Sequence, residues 1–267
     1  MENKKTKKKP KIVKKPFLTG TPVDGATFKG ALTFFGGTLL MVLAYLLLSS
    51  MMLWDSLFLR IVTNGLVMAA VYALFFVSGM SKGATAVNSG EIMYQRRAEG
   101  KTVDSGDLKA CYHPLKGFVT GLLGSLPALL CAVVLAVIAQ QQLYGLSALP
   151  SWLEPYTRRS DIGNALAYYS VMDPMSLESV LRLIVRAMMM PLVSIVGTSD
   201  SAALLILERL SPLVALIPAL CHGVGYIRGV QARTQVHSSI AAANRKYKRR
   251  EKKKQQQRRA QGPEQLN

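Results

Sequence analysis

The chain is poor in the residues from which reactive sites are usually built. Its 267 residues include three cysteines and three histidines, and Asp and Glu supply 15 charges against 33 from Lys and Arg. Cys111, Cys131 and Cys221 are scattered, two of them inside apolar runs, with no CxxC or Cys/His zinc spacing. Small, buried, inert thiols are expected from that pattern, not a disulfide or a zinc centre. Aromatic residues make up 7% of the chain, and Tyr247 stands alone in the basic tail between Val230 and Arg259. A module that reads single-stranded RNA needs stacking platforms, so specific nucleic acid is not an expected partner. No nucleophile–base pair or metal-ligand constellation is spelled out, so neither catalysis nor a cofactor is expected. Inverted repeats and paired broken helices, the signature of many transporters, are missing too.

What is present is sharply segregated. Half the residues are hydrophobic while the formal charge is +18. Eight lysines fall in residues 1–16 and twelve Lys/Arg in residues 228–259, so most of the charge belongs to the tails. Charge placed there describes what the tails touch, not the fold.

Four apolar runs remain, at residues 31–54, 61–80, 117–139 and 204–227. The last would be about 36 Å long as a helix, enough to cross a hydrocarbon core of about 30 Å. The sequence predicts an all-α polytopic membrane protein: a four-helix transmembrane bundle with an outer amphipathic or re-entrant helix. Residues 1–30 form a basic, disordered tail, 81–116 a polar cytoplasmic loop, 140–203 an extracytoplasmic segment, and 228–267 a basic C-terminal tail. The run at 31–54 is too long for a signal-peptide core and has no small-x-small cleavage site, so it reads as a retained span with Trp54 at the far interface. Two helices joined as tightly as the first pair should form an antiparallel hairpin. Gly65, Ala69 and Ala73 supply a small-residue rib on the second span, and Gly117, Gly121 and Ser125 one on the third, which Pro127 should kink.

Basic flanks stay on the cytoplasmic side, which makes the number of spans even and both termini cytoplasmic, in a multi-pass protein of the plasma membrane. Asp173-Pro174 is a helix start, and the helix it opens, through Met190, carries Glu178, Arg182 and Arg186 on one face and Leu177, Leu181, Ile184 and Val185 on the other. Pro191 should end it. Letting this element cross would put the C-terminal clusters outside, so it is expected to lie in the outer interface or to dip in and return.

Several motifs read as ordinary structure. Gly79–Gly83 matches G-x-S-x-G, but a nucleophile elbow requires a strand before it and a helix after it, and a glycine-rich helix end is expected here instead. Asp104, Asp107, Cys111 and His113 lie close together without a recognised ligand spacing and read as helix caps and a surface histidine. His222 is expected to hydrogen-bond to a neighbouring helix rather than relay protons.

The candidate site is Glu208, a carboxylate a turn or two inside the last span, which needs a cationic partner or an escape to water. Arg209 points about 100° away on the same helix, leaving Arg186 or Arg182 as partners that would dock the amphipathic helix onto the bundle. A second candidate is the cluster Arg245, Lys246, Lys248, Arg249, Arg250, Lys252, Lys253 and Lys254, which suits anionic lipid headgroups. The expected role is a non-enzymatic accessory or assembly component with a protein partner or a second copy of itself. The alternative is a small oligomeric transporter or channel with an outer Glu/Arg site.

Overall fold

An aspartate sets the start of the first membrane helix. Asp24 Oδ1 accepts hydrogen bonds from the Thr27 amide at 2.7 Å and the Thr27 hydroxyl at 2.6 Å, while Thr27 Oγ1 accepts one from the Asp24 amide at 3.1 Å. This reciprocal cap satisfies amides that the first helical turn would otherwise leave without acceptors. The computed structural model describes residues 13–51, 54–140, 154–157, 159, 161–162, 177–197 and 200–260. In order, its helices are α1 (Gly25–Met51), α2 (Leu57–Ala98), α3 (Ser105–Ala110), α4 (Lys116–Ile138), α5 (Glu154–Thr157), α6 (Leu177–Met188), α7 (Met190–Val196) and α8 (Ser201–Ala260). The protein is an all-α polytopic bundle. The helix start expected at Asp173-Pro174 and most of the segment 140–176 lie outside the described residues.

Among the described residues, four helices, α1, α2, α4 and α8, are long and apolar enough to cross a membrane. Their outward surfaces carry large exposed side chains along most of their length, among them Leu32, Leu43, Leu66, Leu74, Leu130, Val137 and Leu213. Soluble monomers rarely expose contiguous apolar patches beyond a few hundred Å², so this belt is a lipid-facing surface.

The second helix corrects the expected boundaries. It does not stop at Met80 but continues to Ala98, so the polar loop shrinks to the stretch around α3. The reason is a buried stripe that survives the change in composition: Asn64, Val67, Val71, Phe75, Gly79, Gly83, Val87 and Gly90 recur every three or four residues, with Asn64 against α7, Gly79 and Gly83 against α8, and Gly90 against Leu18. Gly79 and Gly83 are therefore mid-helix contact points, not a helix end. A β-carbon on Gly79 would collide with the His222 carbonyl, one on Gly83 with that of Tyr226, and one on Gly225 with that of Phe76. The rib expected at Gly65, Ala69 and Ala73 is exposed instead, with open space around Gly65.

The third span behaves as its small residues imply. Gly117 lies against the Tyr226 side chain, Gly121 against Ala219 of α8, and Gly124 against Ala31 and Phe34 of α1. Helix α4 runs through Pro127 as one element, and α8 runs through Pro212 and Pro218. The expected α1–α2 hairpin is loose. The backbones of α1 and α2 rarely approach, since α1 packs on α4 and α2 on α8. Phe34 and Phe75, with ring centroids 5.0 Å apart, bridge the gap. No glycine seam joins these two helices: Gly36 faces open space and Gly37 only brushes the Phe75 ring.

Helices α6 and α7 meet at 93°. The bend falls at Met189, with Pro191 in the first turn of α7 and Gly197, at φ 86°, closing it. Val185 and Met189 pack with Ala132, Leu135 and Ala215, and Met189 shares a small interior space with Tyr72 and Ser125. Taken together, the pair is long and apolar enough for a broken span or a re-entrant loop.

At the opposite end, residues 13–24, expected to belong to a disordered tail, instead lie across α2, α3 and α8, held by backbone hydrogen bonds. The Leu18 amide donates to the Gly90 carbonyl at 3.1 Å and the Gly20 amide to the Tyr112 carbonyl at 2.9 Å. Tyr112 stacks on Tyr226 at 5.4 Å, with Phe17 edge-on to Tyr112.

Candidate functional site

Helix α6 is amphipathic with its polar side turned inward. Leu177 and Leu183 are each 69% exposed, while Arg182 is 4% exposed. In water that arrangement would be inverted; against lipid it is the expected one, because an unpaired guanidinium has no partner in hydrocarbon. The structure brings the three residues Glu208, Arg182 and Arg186 together. Arg182 Nε lies 2.9 Å from Glu208 Oε1 and donates to Oε2 at 3.1 Å, and Arg186 Nη2 lies 2.6 Å from Oε1. Arg182 also pairs with Glu178 one turn earlier at 2.8 Å and donates to the Gln140 carbonyl, at the end of α4, at 2.7 Å. Two carboxylates face two guanidiniums, so the cluster carries no net formal charge. It ties α6 to both α4 and α8. Arg209 is exposed and takes no part.

A second tie holds α7. The Asn64 amide donates to Ser194 Oγ at 3.4 Å and to the Arg60 carbonyl at 3.0 Å, and Arg60 Nη1 donates to the Ser194 carbonyl at 3.4 Å. Asn64 is a polar side chain within the second span, and its partner lies 130 residues away. Sequence spacing cannot show that contact.

The basic end carries two further buried clusters that sequence reasoning missed. Lys116 Nζ pairs with Asp24 Oδ2 at 2.7 Å and donates to the Lys109 carbonyl at 3.1 Å. Burial pushes the Asp24 pKa upward, but hydrogen bonds from Lys116 and Thr27, with the nearby ammonium charge, outweigh it and leave the carboxyl below its ordinary value. On α2 and α8, Glu91 accepts from His237 at 2.7 Å and pairs with Arg233 at 3.1 Å, and Arg233 also donates to Asn88.

His222 is buried and its Nδ1 lies 3.1 Å from the Gly117 carbonyl on α4, with its ring edge-on to Phe34. Cys111 is buried, and burial pushes its thiol up, with Lys116 opposing. Asp104 flanks α3, Asp107 lies 3.7 Å from Arg96, and the His113 ring accepts from the Leu115 amide. Among the described residues no group of three or more Cys, His, Asp or Glu is placed to hold a metal ion.

No family model matches the chain, and comparison with characterised proteins and with solved structures finds no match. Arg245, Lys246, Lys248, Arg249, Arg250, Lys252, Lys253 and Lys254 are all exposed, on the free end of α8. That helix contains both Glu208 and the whole basic cluster without a break.

Proposed function

We propose that the protein is a non-enzymatic accessory or assembly component of the plasma membrane, with both termini cytoplasmic, presenting the basic end of α8 to an anionic membrane surface and to a partner bound there. The observation that carries this reading is the continuity of α8. It is one 60-residue helix, about 90 Å long, that joins the last span to eight exposed cationic side chains. Holding charges on a fixed rod suits docking at a surface, where each basic residue contributes about 1 kcal/mol. The interior fits the same role. The enclosed space beside Met189 amounts to about 20 Å³, room for a single water.

A second reading, a small oligomeric transporter or channel with an outer Glu/Arg site, draws on the bent α6–α7 pair, since discontinuous helices often line transport sites. It is less favoured because the Glu208 carboxylate is already engaged by two arginines.

Affinity purification in mild detergent, with the tag at the N-terminus, tests the choice. A partner that co-purifies with the wild-type chain and is lost when residues 245–254 are neutralised supports the assembly role. A protein that purifies alone, with and without prior crosslinking, and that drives ion flux in proteoliposomes supports transport.

A further inference from the structure

The loose contact between α1 and α2 leaves a slot of about 370 Å³ that opens sideways to the lipid-facing surface. Its floor is the Phe34–Phe75 ring pair, and its walls include Gly37, Leu40 and Leu74. From Thr33 to Ala44, both of which line it, α1 rises about 17 Å, roughly half of a hydrocarbon core of about 30 Å. The slot thus spans one leaflet. At its basic end stands Lys82, half-buried on α2. The ammonium donates to the Gly30 carbonyl at a long 3.5 Å and meets no carboxylate among the described residues. Two buried acids of that end are already engaged, Asp24 by Lys116 and Glu91 by Arg233 and His237. An apolar trough as long as one leaflet, with an uncompensated cation at its head, is complementary to one kind of molecule.

We infer that the slot between α1 and α2 binds a single anionic phospholipid, with an acyl chain lying between the helices and the phosphate on Lys82. The chain fills apolar space that no glycine seam closes, and the phosphate supplies the counter-charge that the protein withholds. This site is separate from the basic cluster of α8, where headgroups would bind at the surface without a chain-shaped cavity.

Native mass spectrometry of the full-length protein in a neutral detergent, titrated with phosphatidylglycerol and phosphatidylcholine, tests the site. The wild type should retain one phosphatidylglycerol in preference to phosphatidylcholine. Lys82→Gln should reduce that preference about fivefold, the effect of one basic residue at a headgroup. Gly37→Leu should abolish retention by placing a side chain in the slot. Replacing Lys252, Lys253 and Lys254 together with Gln should leave the tightly held lipid in place. Crosslinking of the wild type with phosphatidylglycerol carrying a photoreactive acyl chain requires no variant to fold, and should label α1 and α2 peptides containing Leu40 and Leu74. The inference is overturned if labelling spreads evenly over the lipid-facing surface, if Lys82→Gln keeps the wild-type preference, or if the tail variant loses the lipid. Displacement of the lipid by glycerophosphate alone would also overturn it, by reducing the site to a phosphate contact.

Discussion

Glu208 and Arg182, 26 positions apart, meet at 2.9 Å with both side chains almost wholly buried. Ions so placed have given up most of their hydration and are held by each other, so removing one strands the rest. With Arg186 on the same carboxylate, Glu208→Gln leaves two guanidiniums facing a neutral amide. The expected loss of stability is about 3 kcal/mol. Thermal melts of the purified single and double variants check it. Glu208→Gln combined with Arg186→Gln should recover part of the loss, whereas simple addition of the two losses would mean that the residues act independently.

Glycine packing gives a sharper contrast. A side chain on Gly83 would run into the Tyr226 carbonyl, a backbone atom that cannot rotate away, whereas Gly65 faces open space. Gly83→Val should therefore lower stability by about 1–3 kcal/mol or more, as overpacking does, and Gly65→Val should cost less than 1 kcal/mol. Melting temperatures in one detergent compare the two directly. Equal effects would contradict the α2–α8 seam.

Acid should loosen the basic end through Asp24. Its carboxyl is held below the ordinary value of 3.8, so folding favours the charged form. The resulting stability is complete above the unfolded-state value and is lost as pH falls through the lower folded-state value. The melting temperature of the wild type should drop below about pH 4, and Asp24→Asn should melt lower at neutral pH with a smaller further drop in that acid window. Parallel curves for the two proteins would remove Asp24 from the explanation.

Topology follows from the one-sided charge. Single cysteines at Lys5, Ser160 and Gln257 should react with an impermeant thiol reagent in intact cells only at Ser160. Reaction at Gln257 would put the basic end outside and make α6–α7 a crossing.

The basic cluster should act as a surface ligand in its own right. A synthetic peptide of residues 245–259 should bind vesicles containing anionic lipid and release as salt screens the attraction. Equal binding to neutral vesicles would remove the electrostatic account.

The parts of the fold that could be read in the sequence were those encoded by composition over a full helix length. Four spans, the break at Pro191 and the lone carboxylate at Glu208 belong to that class, because the cost of polar groups in lipid is paid residue by residue. The parts that could not be read depend on which face meets which partner. Gly65, Ala69 and Ala73 have the same spacing as a packing rib, yet they face outward, while Gly79 and Gly83 sat unrecognised within a motif of another chemistry. Past Met80 the polar composition hid a buried stripe that continues for more than a dozen residues. The Glu91–His237 and Asp24–Lys116 pairs join residues 146 and 92 positions apart, and no local pattern marks either member as the other's partner.

The unbroken course of α8 links its two ends through a single helix. Glu208 lies about 78 Å from the end of the helix at Ala260, measured along the axis. Between that anchor and the cationic end stand Pro212 and Pro218, where the backbone forgoes its usual hydrogen bonds and a helix bends most easily. They are the fulcrum of a lever. Measured from Pro212, the short arm to Glu208 is about 6 Å and the long arm to Ala260 about 72 Å, so a tilt of about 5° there would shift Glu208 by roughly 0.5 Å and the far tip, at the surface that the lysines face, by roughly 6 Å.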